Sequence, residues 1–377
     1  MTKKTQEYRK QLAELFVHAL EEQELNWQKG WNGKAFLPQN AVTEKAYRGL
    51  NRFYLAMIAK DRGYQESRWA TFHQIQEHGW KLEHAKGQGV QVEYWFPYDT
   101  EEKQGLSWSE FRNRSEEFGE RYQLRAVYSY VFNGDLIQGL PELQIVQNDI
   151  MPDELIGVIS RNMQVEMLHD GGNQAFYNQQ QDQIHLPVPE CFESDYAYNT
   201  TALHELAHAT GAPHRLKREL AGYFGSESYA YEELVAEITA SFFAVHLAVE
   251  PGQMQIENHK AYVQSWIRAI REKPERLVKA IQQAEKAATY LEYHAGLVDQ
   301  KEYLRCETTT VEVEEMEGKS YMGIRKDIQE IQNMQHQIQE NTVYMKKFME
   351  DNHIPLLQKN FEKESVPKFG TEKGRQR

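Results

Sequence analysis

The chain has 377 residues, enough for two domains and an extension, and its 40 % hydrophobic and 26 % charged residues are typical of a globular protein. Its 43 Lys and Arg residues and 56 Asp and Glu residues give a net charge of −13. That charge disfavours bulk binding of nucleic acid, which depends on neutralising phosphates. Cys191 and Cys306 are the only cysteines, which excludes a disulfide framework and a cysteine-based zinc site. No apolar run is long enough to span a membrane and the first residues lack the apolar core of a signal peptide, so we expect a cytoplasmic protein with no membrane partner.

Hydrophobic spacing and turn residues predict an N-terminal α+β domain over residues 1–145. Helices are expected where apolar residues recur every three to four positions, and strands where they alternate. The helices are placed at 6–25, 47–63 and 69–79, and the strands at 90–96 and 128–134. Polar residues 99–122 between the strands are typical of a surface insertion, and Gly139 and Pro141 mark the end of the domain.

Aromatic and cationic side chains are interleaved in this domain, and the densest example is Trp27, Lys29 and Trp31. Packing in a core is the usual fate of tryptophan, and a solvated mixed surface would account for the modest excess of cations that follows. Single-stranded nucleic acid, however, is held by aromatic stacking beside a basic groove. The pattern leaves both a core and a local nucleic-acid surface open.

A second α+β domain is predicted over residues 150–300, after a linker. Its elements are a helix at 152–164, a strand at 165–169, a hairpin at 174–187, helices at 200–211 and 228–244, and two more helices between 262 and 291. An edge strand beside such helices can align an extended substrate.

The helix at 200–211 contains a His-Glu-x-x-His motif. Residues four apart lie on one face of an α-helix, so His204 and His208 can present two imidazoles to one metal ion. The carboxylate of Glu205 can then take a proton from a water that the metal activates. A chain with 14 histidines matches this motif by chance in roughly one case in twenty, so a third ligand is needed.

The next helix offers two candidates for that ligand. Glu233 and Glu237 share a face of small residues, which would let this helix approach the first one closely. Glu233 would complete a His-His-Glu site with a fourth position open for water, and Glu237 would fix an imidazole through its other nitrogen. The reverse assignment, with Glu237 as the ligand, stays open, as does a solvated acidic face. His185 and His214 are expected to be ordinary surface or core histidines.

Residues 305–377 differ in character from both domains. An acidic stretch at 307–319 precedes apolar residues at helical spacing from Ile324 to Ile338, which predicts an amphipathic helix for docking or self-association. The basic tail from Lys359 to Arg377 is poor in apolar residues and carries six Lys and Arg residues against three Glu residues. We expect this tail to be disordered.

Several motifs occur in a fixed order along residues 8–295. Those of the first half are Trp27-x-Lys29-x-Trp31, Tyr47-Arg48-Gly49-x-Asn51, Trp69-x-Thr71-Phe72-x-Gln74 and Lys86-Gly87. Those of the second half are Asp182-x-Ile184-x-Leu186-Pro187, His204-Glu205-Leu206-Ala207-His208 and Tyr229-Ala230-x-Glu232-Glu233-Leu234-Val235-Ala236-Glu237. Taken together, this series resembles the ArdC family of antirestriction proteins from plasmids and integrative elements. Asn26, Gly30 and Ala41 depart from the family pattern, which commonly has proline at these positions.

The resemblance implies a single-stranded-DNA-binding domain followed by a zincin-like metallopeptidase domain, in a protein that protects the incoming DNA of a mobile element. It implies Zn²⁺ held by His204, His208 and Glu233, with Glu205 as the catalytic base and a host protein as the substrate. The residues expected to contact DNA are Trp27, Lys29, Trp31, Tyr47, Arg48, Asn51, Trp69 and Lys86.

Two functions compete on this sequence. The first is a zinc-dependent metallopeptidase of the gluzincin-like type, coupled to single-stranded DNA binding. The second is a DNA-protecting protein that binds single strands and whose metal site is structural or inactive. A weaker third hypothesis is a scaffold of the transfer machinery that docks through residues 322–350. The sequence specifies neither an oligomeric state nor a peptide substrate.

Overall fold

The computed structural model describes most residues of the two predicted domains. The described residues are 3–21, 37–107, 110–111, 121–143, 152–170, 172–220, 226–247, 260–300 and 302–303. Most of the predicted linker, and the acidic stretch, amphipathic helix and basic tail predicted over 305–377, lie outside them. Within the described ranges, no helix is both long enough and apolar enough to cross a membrane.

In the described ranges of the N-terminal half, the structure combines the helices α1 (Lys3–Glu21), α2 (Gly49–Asp61) and α3 (Phe72–Glu77) with a five-stranded sheet. The sheet strands are β1 (Gln39–Asn40), β2 (Arg68–Thr71), β4 (Val90–Asp99), β5 (Gln104–Gly105) and β6 (Tyr122–Asn133), in the spatial order β1-β2-β6-β4-β5. A separate pair is formed by β3 (Lys81–Leu82) and β7 (Ile137–Gln138). The long antiparallel ladder of β4 and β6 runs from Val90↔Val131 to Asp99↔Tyr122 and forms the centre of this half.

The prediction that a helix begins at Trp69 was wrong. Trp69 and Ala70 lie in β2, pair with β6 and are fully buried. The helix α3 begins only after Thr71, whose hydroxyl accepts the N–H of Gln74, while the Gln74 side chain accepts the N–H of Thr71. This reciprocal cap satisfies two backbone donors and places the boundary between strand and helix at Thr71. The polar insertion predicted between residues 99 and 122 is also shorter than expected. The strand β4 continues to Asp99, and β5 lies within the predicted insertion.

Where the structure describes the C-terminal half, five helices accompany a three-stranded sheet. The elements are α4 (Pro152–Met163), β8 (Glu166–His169), β9 (Phe176–Asn178), β10 (Gln183–Leu186), α5 (Asp195–Ala209), α6 (Glu227–Ala244), α7 (Lys260–Glu272) and α8 (Glu275–His294). The predicted hairpin is confirmed: β9 and β10 are antiparallel, and β8 pairs in parallel with the other side of β10. The strand β9 is therefore an edge of this sheet.

One apolar core joins the two halves. It contains buried residues of α1, α2, α6, α7 and α8, including Leu12, Phe16, Phe53, Met57, Val235, Ile238, Trp266, Ile267, Leu277 and Ile281. The Phe53 ring of α2 meets the rings of Phe16 and Phe242 at centroid distances of 5.4 and 6.3 Å. Ala240 and Phe243, also on α6, belong instead to a second core with α4, α5 and β10. Both cores therefore fix the position of α6.

A buried charged cluster also crosses between the halves. On α2, Arg52 donates to the Phe242 carbonyl and lies 3.7 Å from Glu285 and 3.6 Å from Glu292 of α8. Arg48 pairs with the same two carboxylates and with Glu302. The side chains of Arg52, Glu285 and Glu292 are only 2–3 % exposed. Because unpaired charges at such depth are costly, this cluster, which we call the α2–α8 cluster, ties α2 to α8.

Candidate metal centre

The helix α5 presents the two histidines of the sequence motif on one face. It begins after Ser194, whose hydroxyl accepts the N–H of Ala197, and its last residue is Ala209. Capping of this kind supplies a partner for one of the first N–H groups and fixes where the helix starts. His204 and His208 are one turn apart, and their rings meet at a centroid distance of 4.7 Å.

The helix α6 brings its carboxylates against that face. It begins after Ser226, whose hydroxyl accepts the N–H of Tyr229, and it packs beside α5. Glu232, Glu233 and Glu237 are each between 4 and 6 % exposed. Such acidic residues are rarely this buried without a partner, so their environment decides their role.

Three predicted residues converge on one point. The Nε2 atoms of His204 and His208 are 3.1 Å apart. One carboxylate oxygen of Glu233 lies 3.4 Å from His204 Nε2, and the other lies 3.6 Å from His208 Nε2. Ligands held at about 2.0–2.1 Å by a tetrahedral ion are about 3.3 Å from each other. The observed separations lie on both sides of that value, so two imidazoles and one carboxylate fit a divalent metal ion.

The outer nitrogens of both histidines also have carboxylate partners. Nδ1 of His204 lies 3.2 Å from Glu237, and Nδ1 of His208 lies 3.2 Å from Glu232. A carboxylate that accepts the Nδ1 proton leaves the Nε2 lone pair directed at the shared point. Glu233 faces the inner nitrogens and Glu237 the outer nitrogen of His204, which is the arrangement preferred over its reverse in the sequence interpretation.

Glu232 is in turn held by an arginine that sequence reasoning did not identify. Arg218 donates to both oxygens of Glu232, at 2.7 and 3.1 Å. It also donates to the carbonyl of Ala207 at 2.7 Å and to the hydroxyl of Thr210 at 2.6 Å. Arg218 thus connects the end of α5 to α6 and holds the carboxylate that orients His208. The only sequence signals were a second glutamate beside Glu233 and a cation after the motif helix.

Glu205 lies on α5 between the two imidazoles and the edge strand. The backbone N–H of Tyr177 in β9 acts on its carboxylate to favour the charged form, and the residue is 6 % exposed. Burial raises the pKa of Glu205 above its ordinary value, although the nearby His204 and His208 act in the other direction. A raised pKa moves a carboxylate in the direction that general acid–base chemistry requires.

The electrostatics of the convergent point favour a cation. Burial opposes ionisation of Glu233, but hydrogen bonding to His204 and the charges of both histidines lower its pKa to about 2. Among the described residues, four carboxylates surround the two imidazoles, while Arg218 pairs with one of them. The set therefore carries excess negative charge, which a divalent ion would balance.

The two remaining histidines considered from the sequence lie apart from this group. Nδ1 of His185 is 2.7 Å from Asp170, and its ring stacks on Phe176. His214 is 60 % exposed and lies 3.3 Å from Asp182. Neither belongs to the group of convergent ligands found among the described residues, in agreement with the expectation that they are ordinary histidines.

Three of the residues expected to contact DNA have structural roles instead. Trp69 has no exposed surface, so its ring is not available for stacking on a base. Asn51 exchanges two hydrogen bonds with the backbone of Glu93, at 2.6 and 3.0 Å, and so pairs with β4 as a neighbouring strand would. Arg48 is engaged by carboxylates of the α2–α8 cluster. The sequence pattern was misleading here because aromatic and cationic residues also serve internal packing and pairing.

The other DNA-binding candidates are less constrained. Tyr47 is partly buried, and its hydroxyl accepts the side-chain N–H of Asn40 at 3.5 Å, while burial raises its pKa. Lys86 is exposed in the turn before β4. Trp27, Lys29 and Trp31 lie outside the described residues.

Comparison with known proteins separates the same two regions. Residues 6–132 match the profile of the N-terminal domain of anti-restriction factor ArdC, and residues 155–283 match a zincin-like metallopeptidase domain. This chain belongs to the ArdC family. A zincin-like domain implies a metal, which agrees with the donor set formed by α5 and α6.

Relatives of the ArdC-family chain include two DNA primases TraC of Escherichia coli. They are 32 % identical over 321 residues and 35 % identical over 291 residues, covering 82 % and 74 % of this chain. The chain spans less than a third of their length, 29 % and 19 % respectively. A third relative, the uncharacterized protein y4eC of Sinorhizobium fredii (strain NBRC 101917 / NGR234), is 30 % identical over 259 residues, which cover 67 % of this chain and 80 % of the relative.

Two crystal structures of the antirestriction ArdC protein from plasmid R388 share the fold. The metal-free structure has a TM-score of 0.61 and 27 % identity, and covers 78 % of this chain and 99 % of its own. The Mn(II)-bound structure has a TM-score of 0.58 and 26 % identity, with 77 % and 99 % covered. The α+β architecture with an ArdC N-terminal domain and a zincin-like domain is thereby confirmed.

Proposed function

We propose that this chain is an antirestriction protein of a mobile element that binds single-stranded DNA through its N-terminal half and hydrolyses peptide bonds through its C-terminal half. The observation that carries the enzymatic part is the convergence of His204, His208 and Glu233 at 3.1–3.6 Å, with Glu205 beside them. A zinc ion is the proposed cofactor because nitrogen and carboxylate donors at tetrahedral spacing suit it. Manganese, which is bound in the R388 ArdC structure, is the competing ion.

The chain's own residues divide the proposed reaction between them. His204, His208 and Glu233 would hold the ion, which when bound supplies Lewis-acid polarisation of a peptide carbonyl and of water. Glu205 takes the proton from the attacking water and passes it to the departing amine nitrogen. The helix that carries Glu205 contacts β9, an edge strand along which an extended peptide can pair.

The substitution Glu205→Gln tests the enzymatic proposal. It preserves the side-chain shape and all three proposed ligands but removes the proton acceptor. We expect metal content to stay at the wild-type level and hydrolysis of a labelled casein probe to fall by about 10²–10⁴-fold. Glu227→Gln, on the exposed start of α6, serves as the control with the same chemical change.

Transfer of the mobile element into a restricting recipient cell provides the biological readout for the same variants. Loss of protection in Glu205→Gln, with metal retained, supports a peptidase that acts on a host protein. If protection and proteolysis are both unchanged, the enzymatic proposal is wrong.

A second function is favoured by the packing of α6. This helix carries Glu233 and lies in one core with α1 and α2, so a bound metal would also stabilise the N-terminal half. The chain would then be a DNA-protecting protein with a structural metal. Protection and oligonucleotide binding that survive in Glu205→Gln but fail in a chelator-treated sample would favour this function.

A further inference from the structure

The sheet of the N-terminal half carries a row of aromatic rings, of which one is exposed and two are half-buried. Alternate residues of a strand point to the same face, so Tyr94, Phe96 and Tyr98 of β4 form one row. Tyr94 is 61 % exposed, and its ring is nearly parallel to that of Phe96, with an angle of 15° and centroids 6.3 Å apart. An exposed tyrosine that continues a row of half-buried aromatic rings is unusual on a surface that contacts only water.

The neighbouring strand completes this face. In the ladder, Tyr94 is opposite Val127, Phe96 is opposite Arg125 and Tyr98 is opposite Gln123. Val127 is 49 % exposed. The guanidinium carbon of Arg125 lies 3.2 Å from the centroid of the Tyr98 ring. A cation is thus placed at one end of the row, and we call the set of Tyr94, Phe96, Tyr98, Arg125 and Val127 the aromatic face.

We propose that the aromatic face binds single-stranded DNA, with successive bases on the rings of Tyr94 and Phe96 and a phosphate beside Arg125. This inference rests on the proposed DNA-binding function and assigns it a surface. Rings on alternate strand residues are about 6.8 Å apart, so an extended strand can place neighbouring bases on neighbouring rings. Base stacking on aromatic side chains is tolerant of sequence because every base has a π-face.

The charge of this region predicts how binding depends on salt. Asp99, Glu101 and Glu102 follow the row, but all three pair with Arg121, at 2.6, 3.1 and 3.0 Å. Arg125 is the cation of the aromatic face itself. Few phosphates are therefore neutralised, and the affinity should come mainly from stacking. The logarithm of the binding constant should fall with the logarithm of salt concentration at a slope of only about −0.7 to −1.4, as for one or two phosphate contacts.

The sheet also offers a matched control. Tyr130 lies on β6 opposite Gln91, on the other face of the sheet, and is 56 % exposed. Tyr94 and Tyr130 are thus the same residue type at similar exposure on opposite faces. Replacing either by alanine removes an exposed ring, so both variants should retain the wild-type melting temperature.

The experiment measures binding of a fluorescein-labelled oligothymidylate of about 20 nucleotides to the full chain by anisotropy. We expect Tyr94→Ala and Arg125→Gln each to weaken binding by about fivefold or more, the loss of roughly one stacked base or one phosphate contact. Tyr94→Trp, which restores a stacking ring, and Tyr130→Ala should bind like the wild type.

The outcomes separate this inference from the proposed function. If wild-type protein binds no oligonucleotide at low salt, DNA binding itself fails. If wild type binds but Tyr94→Ala binds equally well, or Tyr130→Ala is weakened as much, the aromatic face is not the binding surface. Loss of self-association rather than of DNA binding in Tyr94→Ala would identify a second copy of the chain as the occupant and overturn the inference.

Discussion

Two buried charged groups of this molecule are built from similar residues but differ in how their charge is balanced. In the α2–α8 cluster, Arg48 and Arg52 face Glu285, Glu292 and the partly exposed Glu302. At the candidate metal centre, Arg218 pairs with Glu232, whereas Glu233 contacts both imidazoles and is hydrogen-bonded by Tyr229, and Glu237 contacts His204.

This difference in charge balance indicates different roles for the two groups. Guanidiniums are permanently charged, so the two buried carboxylates of the α2–α8 cluster face two fixed cations, and His246 lies 3.2 Å from one of these carboxylates, that of Glu292. Imidazoles become cationic only by taking up protons, and their neutral form is a metal ligand. A buried group in which several carboxylates surround paired imidazoles is therefore suited to a metal ion, and this charge distribution complements the geometric argument for metal.

The largest effect is expected from a substitution in the α2–α8 cluster. Arg52→Met leaves Glu285 and Glu292 buried without their deepest cation, and should lower the free energy of unfolding by about 3–5 kcal/mol whether or not metal is present. Denaturant unfolding of the full chain measures this. Arg48→Met, at a side chain 22 % exposed, should cost less. A combined Arg52→Met and Glu285→Gln variant should recover part of the loss, and no recovery would contradict the charge argument.

The second prediction concerns the group that needs a cation. Zinc supplied at about 1,000 times its dissociation constant should raise the free energy of unfolding of the wild type by about 4 kcal/mol, and chelation should remove this gain. His204→Ala should show neither effect, because one of the three convergent donors is missing. Thermal melting with and without metal tests both statements. If neither zinc nor manganese changes the melting temperature of the wild type, the proposed metal site is wrong.

The third prediction concerns the carboxylate of Glu232. Glu232 contacts the outer nitrogen of His208 and is held by Arg218, so Glu232→Ala should weaken metal binding by about 10–100-fold without abolishing it. Titration calorimetry with zinc or Mn(II) gives the affinity. Glu227→Ala on the same helix is the control and should bind as the wild type does. Equal affinity in both variants would show that the carboxylate at the outer nitrogen of His208 does not contribute to metal binding.

The smallest effect concerns a buried histidine without a carboxylate. His294 is 7 % exposed, and burial lowers its pKa to about 3, with Arg215 acting in the same direction. Below its unfolded pKa of about 6.5 the unfolded chain takes up a proton that the folded chain does not, so stability falls as the pH drops from about 6.5 towards 3. Between pH 7 and pH 5 this one group should cost about 2 kcal/mol.

His294→Phe should reduce that acid sensitivity and leave stability at pH 7 within about 1 kcal/mol, since a buried nitrogen with no hydrogen-bond partner is removed. Denaturant unfolding of both proteins at pH 7 and pH 5 measures the difference. An identical pH dependence in wild type and variant would show that His294 is not the titrating group.

Sequence reasoning was most successful where the signal lies within one helix. The four-residue spacing of His204 and His208 and the small face around Glu233 and Glu237 are local patterns, and the structure brings these residues together. The hairpin before α5 was likewise local. Reasoning was least successful for Arg48, Asn51 and Trp69, because a side chain's exposure depends on what packs against it from elsewhere in the chain.

The sequence by itself determined the ArdC-type order of motifs, the helical and strand elements that carry them, and a donor set suited to zinc. Tertiary structure alone decided that α1 and α2 share a core with the helix that bears Glu233, and that Arg218 stands behind Glu232. It also decided that the ring of Tyr94 is exposed while that of Trp69 is fully buried. The physical reason is that helical periodicity acts over a few residues, whereas burial and ion pairing depend on residues that only folding brings together.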